Sequence, residues 1–164
     1  MKNKQHGLSL MGLILVIALA IGSYIGYKTY AKRELEKKQA AARVQVDEAK
    51  AKMAEIRKRF ADAAMLAGST SRIALAVPVA NLQAIQRETA GLATPTCLFD
   101  ARNKLADALR LHVNGFLTFM RNEGSSGGAD AVELFQESTQ KIDAHLKLLE
   151  DKQTCASYLS GKGD

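Results

Sequence analysis

The sequence predicts an all-α protein: an N-terminal transmembrane helix that continues into a long stalk helix, then a small helical bundle closed by one disulfide. Three observations predict it. Residues 8–27 hold no charged side chain. From Ala31 to Ala67 there is neither glycine nor proline, and apolar residues recur at alternating four- and three-residue spacing. Two amphipathic stretches of 28 residues each, 94–121 and 130–157, then carry the chain's two cysteines at their outer ends. The expected organisation is therefore a basic leader-like segment at 1–7, a membrane helix at 8–27, a helical stalk at 28–67 and a bundle domain at 68–164.

The first element follows from length. As a helix, 20 uncharged residues span roughly 30 Å, the thickness of a bilayer's hydrocarbon core. A cleaved secretory signal is the competing reading, since Lys2 and Lys4 precede the run. The run is longer than such signals need, and no small-x-small cleavage site closes it. It ends instead in Tyr24, Tyr27 and Tyr30 with Lys28, Lys32 and Arg33 among and after them, the aromatic and basic belt of a membrane interface. A count of basic residues favours a cytoplasmic C-terminal domain. The lone, far-separated pair Cys97 and Cys155 favours an oxidising compartment, and a periplasmic domain is the expectation adopted.

The second element is a helix with a seam. Ala42, Val46, Ala49, Met53, Ile56, Phe60, Ala63 and Ala67 form a heptad-like stripe that packs along another helix. Val46, Met53, Ile56 and Phe60 are its candidate packing residues, the bulkier upper part docking on the domain and the Ala-rich lower part standing as a stalk, through which the chain could pair with a second copy. The net charge of +6 also belongs here. Residues 28–66 hold 11 Lys or Arg against 6 Asp or Glu, a net of +5, whereas residues 67–164 hold 10 against 11, a net of −1. A solvated helix face near anionic lipid headgroups explains that distribution without nucleic acid.

Residues 68–96 are the irregular part. Gly68, Ser69, Thr70 and Ser71 break the stalk helix, and Ile73, Leu75 and Val77 alternate with alanines ahead of Pro78 as in an extended segment. A short helix from Pro78 to Ala90 follows, with Gly91 past its end. The stretch reads as an apolar strap across the bundle, with a partner-binding edge as the alternative. Thr94 and Pro95 then suit the cap and first position of a helix reaching Arg121, with Leu98, Ala101, Leu105, Leu109, Phe116 and Met120 inward. After a turn at 122–129, Asp130 and Glu133 suit a capping box on the last helix, whose inner stripe is Phe135, Ile142, Leu146, Leu149 and Ala156. Two antiparallel helices of equal length bring Cys97 and Cys155 level, which predicts a disulfide rather than a metal or redox site.

Chemistry is sparse. His112 and His145, placed on the hairpin, are displaced by about 9 Å along its axis, too far to share a metal, and each reads as a half-buried or edge residue. There is no nucleophile elbow, no phosphate-binding glycine loop and no CxxC. The expectation is a protein that is not an enzyme, with no cofactor, no metal and no nucleic-acid partner.

The stretch "HGLSLMGLILVIALAIGSYIGYKTY" resembles the leader junction and first helix of type IV pilins and pseudopilins: a short basic leader, Gly7 and Leu8 at the position of peptidase cleavage, an apolar run and tyrosines near its end. Pilins carry a glutamate at the fifth residue after that glycine; here stands Gly12. That glutamate is thought to neutralise a neighbour's amino terminus in the filament core, where an uncompensated charge costs several kcal/mol. The chain also lacks the strand signal of a pilin head. The whole layout, anchor, stalk and small cysteine-paired helical domain, resembles the TfpC family of pilus assembly and stability factors. That resemblance implies an inner-membrane protein whose periplasmic bundle supports assembled pili through contacts with pilus or other envelope proteins. A minor pilin-like subunit and a single-pass coiled-coil scaffold of the envelope are the competing expectations.

Overall fold

The structure, a computed structural model, describes residues 10–121, 125–151 and 153–160, and of residues 10–18, 20–22, 25 and 125–127 it describes the backbone alone. The described residues are helical, with turns between them and no strand. In order they form α1 (Leu10–Gly68), a 3₁₀ turn (Arg72–Ala74), α2 (Ala76–Ala90), a second 3₁₀ turn (Thr96–Leu98), α3 (Phe99–Arg121), α4 (Ser125–Glu150) and the short α5 (Ala156–Leu159). No helix among the described residues is long and apolar enough to cross a membrane. The expected span, residues 8–27, falls mostly on residues outside the description or described by backbone alone.

The chain divides into two compact units, Met1–Ala41 and Ala42–Asp164. In the first, the described side chains of Tyr24, Tyr27 and Tyr30 are exposed. Lys32 pairs with Glu36 and Lys37 with Glu34 along the helix surface, contacts worth a few tenths of a kcal/mol at most.

The second unit is a bundle around one core. Val46, Ala49, Met53, Ile56, Phe60, Ala63 and Ala67 are all buried, so the seam packs inside the chain's own fold along its whole length from Val46. Leu75, Val79, Leu82 and Ile85 cover it from the α2 side, and Leu98, Leu105, Leu109, Val113 and Phe116 from α3. Arg59 of α1 holds Glu88 of α2 through two hydrogen bonds, Nη1 to Oε1 at 3.0 Å and Nη2 to Oε2 at 2.7 Å. Toward the other end Lys50 donates to the Leu149 carbonyl at 2.7 Å and the Tyr158 hydroxyl to Gln45 at 3.0 Å.

The hairpin α3–α4 is built differently from the stripes its sequence suggests. Phe135, Ile142, Leu146 and Leu149 are only half-buried and Ala156 is exposed. The fully covered positions of α4 are Ala131, Ser138 and His145, seven residues apart. They face a matching row of small residues on α3, Ala101, Ala108 and Gly115. Ser138 Oγ donates to the Ala108 carbonyl at 2.9 Å, and His145 Nδ1 lies 2.8 Å from the Ala101 carbonyl, one hydrogen bond at each step of seven. Small residues let the two backbones approach, and the polar side chains spend their hydrogen bonds on them. Gly115 leaves no room for a side chain, since an added Cβ would sit 2.5 Å from the Phe135 ring. Gly115→Val is therefore expected to destabilise the unit by about 1–3 kcal/mol by overpacking, measurable by chemical denaturation.

Four boundaries depart from the sequence expectation, each for a local reason. Residues 72–77 are not extended: a 3₁₀ turn leads into α2 at Ala76, and Pro78 sits in its first turn, where a missing N–H leaves no intrahelical bond unmade. Thr94 does not cap α3; its hydroxyl is buried without a partner, and the chain enters through the 3₁₀ turn, with Leu98 N donating to the Pro95 carbonyl at 2.9 Å. Asp130 and Glu133 are exposed within α4, because the helix already begins at Ser125. Finally, α4 stops at Glu150, where Asp151 Oδ1 accepts from Gln153 N at 2.8 Å, a side-chain turn that competes with the helix.

Candidate functional site

The two cysteines are joined as expected, with Cα atoms 5.2 Å apart and a sequence separation of 58. They do not lie in the long helices. Cys97 belongs to the 3₁₀ turn before α3 and Cys155 to the turn before α5, so the bond ties the irregular segments at the hairpin's open end. Gly7 and Leu8 lie outside the described residues. Val46, Met53, Ile56 and Phe60 are core residues.

His112 and His145 occupy two environments. His145 is fully buried, a correction to its reading as an edge residue. Donation from its Nδ1 to Ala101 leaves Nε2 as the unprotonated nitrogen, buried without a partner among the described residues. Burial lowers its pKa, the Ala101 hydrogen bond raises it by less, and the Arg57 charge adds the smallest, lowering effect. His112 is half-buried among Phe60, Phe116 and Phe135, whose ring centres lie 5.5, 5.6 and 4.7 Å from its own. Burial lowers its pKa as well.

Both shifts have the same thermodynamic sign. The folded state holds neutral imidazoles below the ordinary value of 6.5, so the unfolded chain takes up protons first as pH falls. Their contribution to stability is complete above pH 6.5 and declines on acidification toward the folded values. The melting temperature should fall between pH 7 and pH 5, and His112→Phe, which keeps a ring in the aromatic cluster, should make that fall shallower.

Among the described residues no group of three or more His, Cys, Asp or Glu stands close enough to hold a metal ion. The exposed feature of the unit is apolar. Ile73 is 96% exposed, Val77 79%, Met65 71% and Leu66 59%. These four residues flank the connection between α1 and α2. The connection is well tied: Thr70 Oγ1 donates to the Leu66 carbonyl at 2.7 Å and Ser69 Oγ to the same atom at 2.9 Å. Arg72 fixes it to the end of α3, donating to the Met120 carbonyl at 2.9 Å with its guanidinium 5.7 Å from the Phe119 ring centre. Leu75 turns inward while Ile73 and Val77 turn outward. A fixed backbone thus keeps four large apolar side chains in water around one connection, the type of side chain that partner-binding surfaces present. Periodicity could not separate inward from outward here, because the turn switches helical type between Arg72 and Ala76. Comparison with protein-family models, with curated proteins and with solved structures finds no match.

Proposed function

We propose that this chain is a membrane-anchored assembly or stability factor for type IV pili, held in the bacterial inner membrane by residues 8–27 with its helical unit in the periplasm, and acting by protein–protein contact. An apolar ridge of Ile73, Val77, Met65 and Leu66 carries the contact reading: four large apolar side chains are kept in water around a turn held by the Ser69 and Thr70 hydroxyls and by Arg72. Support for the compartment comes from the Cys97–Cys155 bond, which oxidising compartments favour. Support for the anchor comes from the uncharged run and the exposed tyrosines at and just past its end. Support for the pilus comes from the pilin-like junction at Gly7 and the layout shared with TfpC-type factors. With Val46, Met53, Ile56 and Phe60 covered by the chain's own helices, self-association through the stalk has to use other residues.

The test is to make the ridge polar. Ile73→Asp with Val77→Lys should change stability by no more than about 0.5 kcal/mol per site, as exposed substitutions do, yet abolish surface pili at unchanged pilin levels. Normal piliation in that strain would remove the contact reading. A minor pilin-like subunit is favoured by one observation, the leader around Gly7; complete removal of residues 1–7 by prepilin peptidase would put that reading first.

A further inference from the structure

A cleft of about 330 Å³ opens on the second unit between α1, α3 and α4, lined by Arg57, Phe60, Ala61, Ala64, Leu109, His112 and Ile142. Its origin is in the packing. Small residues bring α3 and α4 together, whereas Met53, Ile56 and Phe60 hold α1 off the pair, and Ala61 and Ala64 are too small to fill the gap that remains. The volume is at the lower end of those that take small molecules, and the walls have the usual character, apolar with few polar groups.

The polar groups are Arg57 and His112. Arg57 stands apart from its helix neighbour Arg59, which has Glu88 for a partner. Among the described residues no carboxylate lies within ion-pair distance of Arg57, and its Nε is buried with no hydrogen-bond acceptor. A buried donor left unmade is a cost that native structures rarely carry without reason. His112 is neutral near pH 7 because burial disfavours its charge, so the cleft presents one positive charge. One charge beside an apolar slot matches a monoanion with an apolar body better than a dianionic phosphate.

We propose that this cleft binds a small aliphatic carboxylate, its chain against Phe60, Leu109 and Ile142 and its carboxylate on the Arg57 guanidinium. The site is separate from the ridge at the α1–α2 connection and stands or falls independently of it.

The probe is octanoate labelled with ¹³C at the carboxyl carbon, titrated into the full-length chain in lipid nanodiscs, with empty nanodiscs as the blank. A saturable shift of the carboxyl signal is expected, with octanol failing to compete at equal concentration. Arg57→Gln, which keeps most of the side chain, should weaken binding at least tenfold with its melting temperature little changed. Ala64→Leu, which fills the slot two turns further along α1, should block binding while leaving Arg57 in place. No saturable shift beyond the blank, equal competition by octanol, or unchanged binding in a folded Arg57→Gln protein would overturn the proposal.

Discussion

Replacing Cys155 by Ser is expected to lower the stability of the Ala42–Asp164 unit by about 4 kcal/mol, the chain-entropy value for cross-linking residues 58 apart. Small domains have roughly 5–15 kcal/mol in all, so the bond supplies between about a quarter and four fifths of the total. In thermal unfolding the loss corresponds to roughly 15 °C. The reason for so large an effect is where the bond sits. Neither Cys97 nor Cys155 is inside a long helix, and the segments they join, a 3₁₀ turn and a five-residue turn with the short α5, are held mainly by local hydrogen bonds that do not tie one segment to the other. Without the bond both ends of the α3–α4 hairpin are free to fray, and Leu98, buried beside Cys97, is uncovered. Wild-type protein under reductant should melt like the variant, and the variant should be unaffected by reductant. In cells, on the proposed function, it should be degraded and pili lost while pilin is still made.

Phe60→Ala is expected to cost about 3–5 kcal/mol, the range for removing a buried aromatic ring, or roughly 12–20 °C in melting temperature. Phe60 is buried on α1 and meets the His112 ring edge-on at a centroid distance of 5.5 Å. It also walls the cleft, so its removal enlarges an existing gap that cannot collapse without moving α1. The seam could have served a second copy of the chain instead. If it did, melting would depend on protein concentration and Phe60→Ala would act mainly by dissociation. With the seam inside one chain, the wild-type melting temperature is expected to be independent of concentration over a hundredfold range.

Much of this fold was legible in the residues. The seam from Val46 to Ala67, Leu98 in the turn before α3 and the inner face of α3 at Ala101, Leu105, Leu109 and Phe116 follow from helical spacing of apolar side chains and are buried, while Ala42 and Met120, at the ends of the two expected stripes, are half-buried. The cysteine pairing followed from the equal lengths of two helical stretches, although the bond joins their flanking turns. What periodicity missed was the α3–α4 contact. Its closest positions are Ala131, Ser138 and His145 against Ala101, Ala108 and Gly115, residues that an apolar count weights weakly or scores as polar. Apolar spacing places the large residues Phe135 and Ile142 at the centre of that face, but both are only half-buried, at its edges. His145 was misjudged for the same reason, since its burial depends on a carbonyl of the neighbouring helix that sequence cannot place. The ridge was half legible: its residues were visible as an apolar strap, but which of Ile73, Leu75 and Val77 faces water was set by a 3₁₀ turn that alternation misreads as a strand.

The central claim is that this helical unit works outside the cytoplasm on a single N-terminal anchor. The most direct measurement is a periplasm-dependent alkaline phosphatase fused after Asp164 and assayed in intact cells beside a cytoplasm-dependent reporter at the same position. The account predicts an active phosphatase in the membrane fraction and a silent cytoplasmic reporter. An inactive phosphatase with an active cytoplasmic reporter would contradict it.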